Sequence, residues 1–228
     1  MNKVSGLANY GATCYFNSTV QALVSSSKLI EQGVFPSEFK IPEDVKPLLD
    51  SFVSKFPKYN LGRPHDAHEC LLDIIESLDK EPKKLFYGKN EQHFTTPDGT
   101  TVQKSDFITV VMHPNGETLE ELFDNLSNTQ IIGQYEKYQV VAMKTVYCEL
   151  PEILVFLFSG GGDVKLPLKF KERDLVAVVF HLGSANGGHY VSQVKRGDVW
   201  FLVDDDRVIQ VDNVTELNCP ASFAIYSD

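Results

Sequence analysis

The chain has 228 residues, 43% of them hydrophobic and 23% charged, a composition typical of a globular protein and not of a disordered chain. Its net charge of −10 argues against a general nucleic-acid binder and favours either simple solubility or a basic ligand. The amino-terminal residues contain no apolar run of signal-peptide length, and the longest apolar stretches are too short to cross a bilayer. We therefore expect neither a nucleic-acid partner nor a membrane partner.

Apolar residues at helical spacing predict four helices before residue 130. Pro47 is compatible with the second helix because it falls in the first turn. Thr118 and Glu121 have the spacing of a capping box, which marks the start of the fourth helix. The predicted helices cover 14–28, 45–56, 67–78 and 119–126.

From residue 138 onward the apolar pattern changes to alternation or to short runs, separated by turn signals such as Arg196-Gly197-Asp198. Helices followed by strands predict an α+β fold, in which a helical lobe packs on an antiparallel β-sheet lobe and leaves a cleft between them. We expect a single domain, with the helical lobe in 1–80 and the sheet lobe in 81–228. The predicted strands are 138–146, 153–158, 175–181, 190–195, 199–203, 207–211 and 223–226.

The cysteines are scattered and form no CxxC pair, which does not suggest a disulfide scaffold in a chain of this length. We therefore expect an intracellular protein, cytoplasmic or nuclear, that is a monomer and needs no cofactor. A metal cluster of His65, His68 and Cys70 is a weak alternative, because no second pair of ligands accompanies these residues.

Cys14 is the candidate nucleophile because it stands at the predicted start of the first helix, just after Gly11. The positive end of a helix dipole favours the thiolate, which is the reactive form of cysteine. Asn9 precedes it by one short loop, from which an amide is able to donate to an oxyanion together with the backbone N–H of Cys14. The alternatives are a buried structural cysteine and a loop asparagine that closes an Asx turn.

His189 is the best-placed base, since it follows Gly187 and Gly188 and opens a predicted strand. The next strand ends at Asp204, and a tight turn between two antiparallel strands would bring Asp204 beside His189. A carboxylate bonded to an imidazole fixes its tautomer and favours the imidazolium. The alternatives are a hairpin whose histidine is incidental and a solvated acidic turn.

Four motifs, taken in order, resemble those of the ubiquitin-specific proteases, a family of cysteine deubiquitinases. GLANYGATCYFNS at 6–18 resembles their cysteine box, and HDAHE at 65–69 their central acidic motif. LPEILVF at 150–156 resembles the segment before a buried strand, and GGHYV at 187–191 the histidine box. The resemblance implies a papain-like cysteine protease fold. Many members hold zinc through CxxC pairs, which this chain lacks, so structural zinc is not expected, and the short stretch between Asp79 and Pro151 implies a reduced fingers region.

The same resemblance assigns the catalytic roles. Cys14 would attack the carbonyl of ubiquitin's terminal glycine, His189 would deprotonate Cys14, and Asp204 would orient His189. Asp205 matches a second acidic position of the family, and Asn9 matches its oxyanion-hole amide.

The resemblance also assigns substrate contacts. Asp66 and Glu69 match carboxylates that hold the basic tail of ubiquitin, although their spacing also suits a helix N-terminal capping pair. Gly187, Gly188 and Tyr190 would line the slot for the Gly-Gly end.

The implied function is thiol-dependent hydrolysis of the isopeptide or peptide bond after the last glycine of ubiquitin, with ubiquitin or a ubiquitinated protein as partner. Three alternatives are a protease for another ubiquitin-like modifier, a catalytically silent ubiquitin-binding module and a general papain-like endopeptidase.

Overall fold

The structure is a computed structural model that describes residues 4–34, 45–60, 62–133, 135–184, 187–212 and 214–227. Within these ranges the chain forms helices and sheets in the predicted α+β arrangement. Asn186, which belongs to the predicted turn before His189, lies outside the described residues. The helices are α1 (Cys14–Leu23), α2 (Ser27–Glu31), α3 (Val45–Lys55), α4 (Ala67–Ser77), α5 (Lys80–Lys84) and α6 (Leu119–Leu126).

The strands begin earlier in the chain than the sequence pattern indicates, since three of them precede α6. They are β1 (Gly88–Thr96), β2 (Gly99–Phe107), β3 (Thr109–Met112), β4 (Gln130–Ile132), β5 (Val141–Glu149), β6 (Leu154–Phe158), β7 (Val164–Pro167), β8 (Lys169–Phe170), β9 (Arg173–Ser184), β10 (Gly187–Arg196), β11 (Val199–Asp204), β12 (Arg207–Val211), β13 (Glu216–Cys219) and β14 (Ala221–Ser227).

The central sheet has the strand order β12-β11-β10-β9-β14-β6-β3, with β8 paired to β9. Its pairs are antiparallel except β3 with β6, so the predicted antiparallel sheet contains one parallel pair. A second sheet has the order β2-β1-β5-β4, and β7 pairs with β13 in a third. The order places β10 and β11, which carry His189 and Asp204, next to each other.

Strand β6 shows how the core is divided, because both faces of the central sheet are covered. Val155 belongs to the apolar cluster that contains residues of α1, α3 and α4. Leu154, Phe156 and Phe158 belong to a second cluster, which contains residues of α6. Successive side chains of a strand point to opposite faces, so burial on both faces produces a continuous apolar run and not an alternation. The helical cluster packs α1 against β10 and β9.

The limits of two predicted elements differ most from the observed ones. The first predicted helix is divided into α1 and α2 by a turn at 24–26, and the strand predicted at 138–146 occurs as Val141–Glu149. The fourth predicted helix is α6, and its capping box is present, with Thr118 and Glu121 bonded reciprocally.

Candidate active site

Helix α1 begins at Cys14, as the sequence predicts. The chain enters the helix through Gly11 (φ 92°) and Ala12 (φ 56°), two successive left-handed residues that turn it sharply. Thr13 occupies the N-cap position, but its side chain does not cap the helix and accepts instead from the Tyr10 N–H at 2.9 Å. The backbone N–H groups of Tyr15 and Cys14 lie near enough to the thiol of Cys14 to lower its pKa.

The pKa of Cys14 is raised from its ordinary value, contrary to what a helix N-terminus alone predicts. Burial is the largest cause, since the residue is only 6% exposed. The N–H of Tyr190 acts in the opposite direction, and the negative charge of Asp205 adds to the rise. Burial therefore outweighs the helix end, and the thiol depends on a base to become a thiolate.

Alkylation of Cys14 by iodoacetamide in the free protein should therefore accelerate continuously up to and beyond pH 9, the ordinary pKa of the thiol. Only the thiolate reacts, and a raised pKa moves thiolate formation to higher pH. Mass spectrometry of the adducts would report the rate at each pH, with the exposed thiol of Cys148 as an internal reference. A rate that reaches its plateau near neutral pH would contradict this prediction.

The structure brings His189 and Asp204 together in the predicted way. Strands β10 and β11 pair in antiparallel register, and the Nε2 atom of His189 lies 2.6 Å from the Oδ1 atom of Asp204. Both side chains are partly exposed. The carboxylate holds one ring nitrogen, so Nδ1 is the nitrogen left to exchange a proton with a nucleophile.

The thiol meets this pair because α1 packs on β10. The backbone N–H of Tyr190, the residue next to His189, lies near enough to the Cys14 thiol to lower its pKa. A nucleophile from the amino-terminal lobe, a base from the sheet and a carboxylate from the adjacent strand thus occupy one place. This is the arrangement that general-base-assisted nucleophilic catalysis requires.

Asp205 and Asn9 also lie next to His189, and their side chains are hydrogen-bonded to each other. The Nδ2 atom of Asn9 donates to Oδ2 of Asp205 at 2.8 Å, and that oxygen lies 3.8 Å from Nε2 of His189. The Oδ1 atom of Asn9 accepts from the N–H groups of Gly11 (3.0 Å) and Thr13 (3.1 Å). Asn9 thus closes the Asx turn given above as the alternative, and its amide retains one further hydrogen for a ligand.

Asp66 and Glu69 lie at the start of α4, at the end that faces the site. The Oδ1 atom of Asp66 accepts from the Glu69 N–H at 2.8 Å and caps the helix, and Oδ2 accepts from the hydroxyl of Tyr190 at 3.3 Å. Lys58 lies 2.6 Å from Glu69 and 2.7 Å from Asp73, so the charge of Glu69 is paired within the chain. No sequence pattern indicated Lys58.

The two glycines before His189 have different surroundings. A Cβ atom on Gly188 would lie 2.4 Å from Nε2 of His181, so a side chain there is excluded by a neighbouring ring. A Cβ atom on Gly187 would meet nothing within 4 Å. His181 packs in turn against the ring of Tyr190, with the centroids 4.6 Å apart. Gly188 therefore accommodates the ring of His181.

The alternative metal site, made of His65, His68 and Cys70, is not formed in the described part of the chain. Within the ranges that the structure describes, the metal-competent cluster consists of His189, Asp204 and Asp205, which are the residues of the site itself. The Nε2 atoms of His65 and His68 are buried without a hydrogen-bond partner, and burial lowers the pKa of His68. His65 packs against the rings of Tyr15 and Tyr59.

Comparison with known sequences finds a family likeness over part of the sheet lobe. Residues 165–226 match the model of the ubiquitin carboxyl-terminal hydrolase family. Over 89 residues the chain is 36% identical to "Ubiquitin carboxyl-terminal hydrolase 12" of Salmo salar. That alignment includes 39% of this chain, and the chain covers 22% of the relative's length.

Comparison with solved structures extends the likeness to the helical lobe. A chain of the SAGA Ubp8/Sgf11/Sus1/Sgf73 DUB module bound to ubiquitin aldehyde superposes with a TM-score of 0.81, over 99% of this chain and 70% of that one, at 17% identity. The same module with monoubiquitin gives 0.80 at 17% identity, over 99% and 69%. The predicted papain-like fold is confirmed, and so is the family resemblance, in sequence over 165–226 and in fold over the described residues. Among those residues no helix is long and apolar enough to cross a membrane.

Proposed function

We propose that this chain is a cysteine-type deubiquitinase, which hydrolyses the isopeptide or peptide bond after the last glycine of ubiquitin. The observation that carries the proposal is the meeting of three groups. The backbone N–H of Tyr190 lies near enough to the Cys14 thiol to lower its pKa, and the adjacent His189 is bonded to Asp204 at 2.6 Å. The family match at 165–226 ends beyond Asp204 and so includes both sheet residues.

In the acylation step, Nδ1 of His189 takes the proton of Cys14 as the sulfur attacks the carbonyl carbon of the terminal glycine. The negative charge that develops on the carbonyl oxygen is stabilised by the backbone N–H of Cys14 and by the free hydrogen of the Asn9 amide. When the C–N bond breaks, His189 returns the proton to the departing amine. The product is a thioester between Cys14 and the carboxyl end of ubiquitin.

In the deacylation step, His189 removes a proton from water, and the resulting hydroxide attacks the thioester carbon. The C–S bond breaks, the sulfur recovers its proton from His189, and ubiquitin leaves with a free carboxyl group. The carboxylate of Asp204 stabilises the imidazolium in both steps.

Substrate selection rests on the acidic start of α4. Asp66 is tied to Tyr190, next to the base, so a chain that extends away from the thiol along this side meets Asp66 and Glu69. A basic tail fits these carboxylates, and the net charge of −10 favours its approach. Ubiquitin is the preferred substrate in this proposal, and another ubiquitin-like modifier is the second candidate.

We further propose that the enzyme acts inside the cell as a monomer. The thiols of Cys14, Cys70, Cys148 and Cys219 are all free, which suits a reducing compartment. Sedimentation of the purified chain would test the oligomeric state.

Reaction with ubiquitin that bears a carboxyl-terminal electrophile, followed by mapping of the adduct, tests the proposed function. We expect a single adduct on Cys14. Labelling only by a probe made from a different modifier would transfer the proposal to that modifier. Ubiquitin binding without turnover of a fluorogenic ubiquitin substrate would identify a silent binding module instead.

Asp66→Asn and Glu69→Gln should each raise KM by about two- to five-fold, because each removes one exposed charge that faces the basic tail. The value of kcat should change little, and binding should become less sensitive to salt. Asparagine still caps a helix, so Asp66→Asn separates charge from capping.

Glu76→Gln is the matched control for these two variants, since Glu76 is an exposed, lysine-paired carboxylate at the other end of α4. Steady-state kinetics at several salt concentrations would supply KM. If Asp66→Asn and Glu69→Gln change only the melting temperature, then capping and surface pairing are the whole role of these carboxylates.

A further inference from the structure

Asn17 is a buried polar residue one turn after Cys14, and its exposure is only 2%. Its Nδ2 atom lies 2.8 Å from Oδ1 of Asp205, 3.2 Å from the carbonyl oxygen of Leu7 and 3.3 Å from that of Ala8. The amide has two hydrogens for three acceptors, and the shortest contact is the charge-assisted one to the carboxylate. Its own Oδ1 atom is buried without a partner.

This unpaired oxygen indicates that packing does not account for Asn17. A buried acceptor without a donor is a cost to folding, which an apolar side chain of similar size would avoid. We therefore attribute the presence of Asn17 to the hydrogen bonds that its amide donates. They join the helix of the nucleophile to the turn between β11 and β12.

Asp205 receives these donors in a constrained position. Its backbone is left-handed (φ 50°), and its carbonyl oxygen accepts from the N–H of Leu7 at 2.8 Å. One carboxylate oxygen accepts from Asn17 and the other from Asn9. A Cβ atom on Gly6 would lie 2.4 Å from the backbone of Asp206, so the amino-terminal segment and the turn are in close contact.

We infer that Asn17 is a positioning residue for the proposed hydrolysis: it fixes the carboxylate of Asp205, and through it the amide of Asn9 beside Cys14. The inference rests on the proposed function. With both oxygens held by amides, Asp205 stays 3.8 Å from Nε2 of His189 and leaves that nitrogen to Asp204. Without Asn17, the carboxylate of Asp205 is free to rotate, to release Asn9 and to compete with Asp204 for the imidazole.

Asn17→Leu removes the donors at similar volume and tests the inference. With a fluorogenic ubiquitin substrate, we expect kcat to fall by about 10- to 100-fold, while KM stays within about two-fold. Gln21→Leu is the matched control. Gln21 is a buried amide one turn further along α1, and it donates to the carbonyl of Ser5 at 2.7 Å without contacting Asp205. It should lower the melting temperature and leave kcat of the folded enzyme unchanged.

A double-mutant cycle with Asp205→Ala separates positioning from general stability. If Asn17 acts through Asp205, then Asn17→Leu should lower kcat by less than about two-fold once the carboxylate is gone. If Asn17→Leu does not fold, Asn17→Ser takes its place in the cycle, because its short hydroxyl side chain cannot span the distance to Asp205.

Two results would overturn the inference while leaving the proposed function intact: an unchanged kcat in the Asn17 variant, or an equal loss of kcat with and without the Asp205 carboxylate. A wild-type enzyme that turns over no ubiquitin substrate would overturn the proposed function and this inference together.

Discussion

Cys14→Ala is expected to abolish turnover of a fluorogenic ubiquitin substrate, with a fall in kcat of about 10⁴-fold or more. The variant removes the atom that forms the thioester, and no neighbouring group of the site replaces it. Ubiquitin binding should persist within about two-fold, because alanine removes a small buried sulfur and leaves the carboxylates of Asp66 and Glu69 in place. Steady-state hydrolysis and titration with fluorescent ubiquitin would measure the two effects separately.

Cys148→Ala is the matched control, since Cys148 is an exposed thiol on β5 and has no part in the site. It should retain full activity and full labelling by the electrophilic ubiquitin probe. Residual cleavage by Cys14→Ala near the wild-type rate would refute the assigned nucleophile. So would a probe adduct on any other cysteine.

The sequence predicts best those elements whose pattern is set by a single buried face. Helix α4 was expected at 67–78 and occurs at Ala67–Ser77, and its apolar positions Cys70, Leu71 and Ile75 are buried. The contact between the imidazole and the carboxylate of the sheet was predictable for a similar reason. His189 and Asp204 lie on consecutive antiparallel strands, so a short turn between them fixes their proximity.

The segment from 88 to 107 was missed because its strands have little of that pattern. Strand β2 is exposed at nearly every position, and β1 is buried only at Gly88 and Phe94. A strand with two solvated faces shows no alternation of apolar and polar residues, and its pairing is supplied by main-chain hydrogen bonds. Sequence reasoning therefore had no signal for β1 and β2, although it predicted part of β5, with which β1 pairs.

The features of the site that sequence reasoning missed depend on contacts between distant parts of the chain. Asn17 stands within the quoted cysteine motif, but its bond to Asp205 joins residues at opposite ends of the sequence. The rise in the pKa of Cys14 also depends on distant parts of the chain, because it follows from burial of the thiol against the rest of the fold. A helix start is visible in the sequence, whereas the depth at which it is buried is not.

Asp204→Ala should lower kcat by about 10²- to 10⁴-fold with little change in KM. The 2.6 Å contact with Nε2 holds the His189 ring with Nδ1 available to the thiol, and the ring is exposed enough to rotate once that contact is lost. Asp204→Asn keeps an oxygen that can accept from Nε2, so its loss of kcat should be smaller. Comparing the two variants in steady-state kinetics separates orientation of the ring from stabilisation of the imidazolium charge.

Asp206→Ala is the control for this pair, because Asp206 is an exposed carboxylate in the same turn. Asp205 is the competitor, since its carboxylate lies 3.8 Å from the same ring nitrogen. If Asp204→Ala keeps most of its activity while Asp205→Ala loses it, then Asp205 orients the base and the role given to Asp204 is wrong. If Asp204→Ala and Asp205→Ala both lose activity and Asp204→Asn retains more activity than Asp204→Ala, then Asp204 holds the ring. Asp205 then acts through the amides of Asn9 and Asn17.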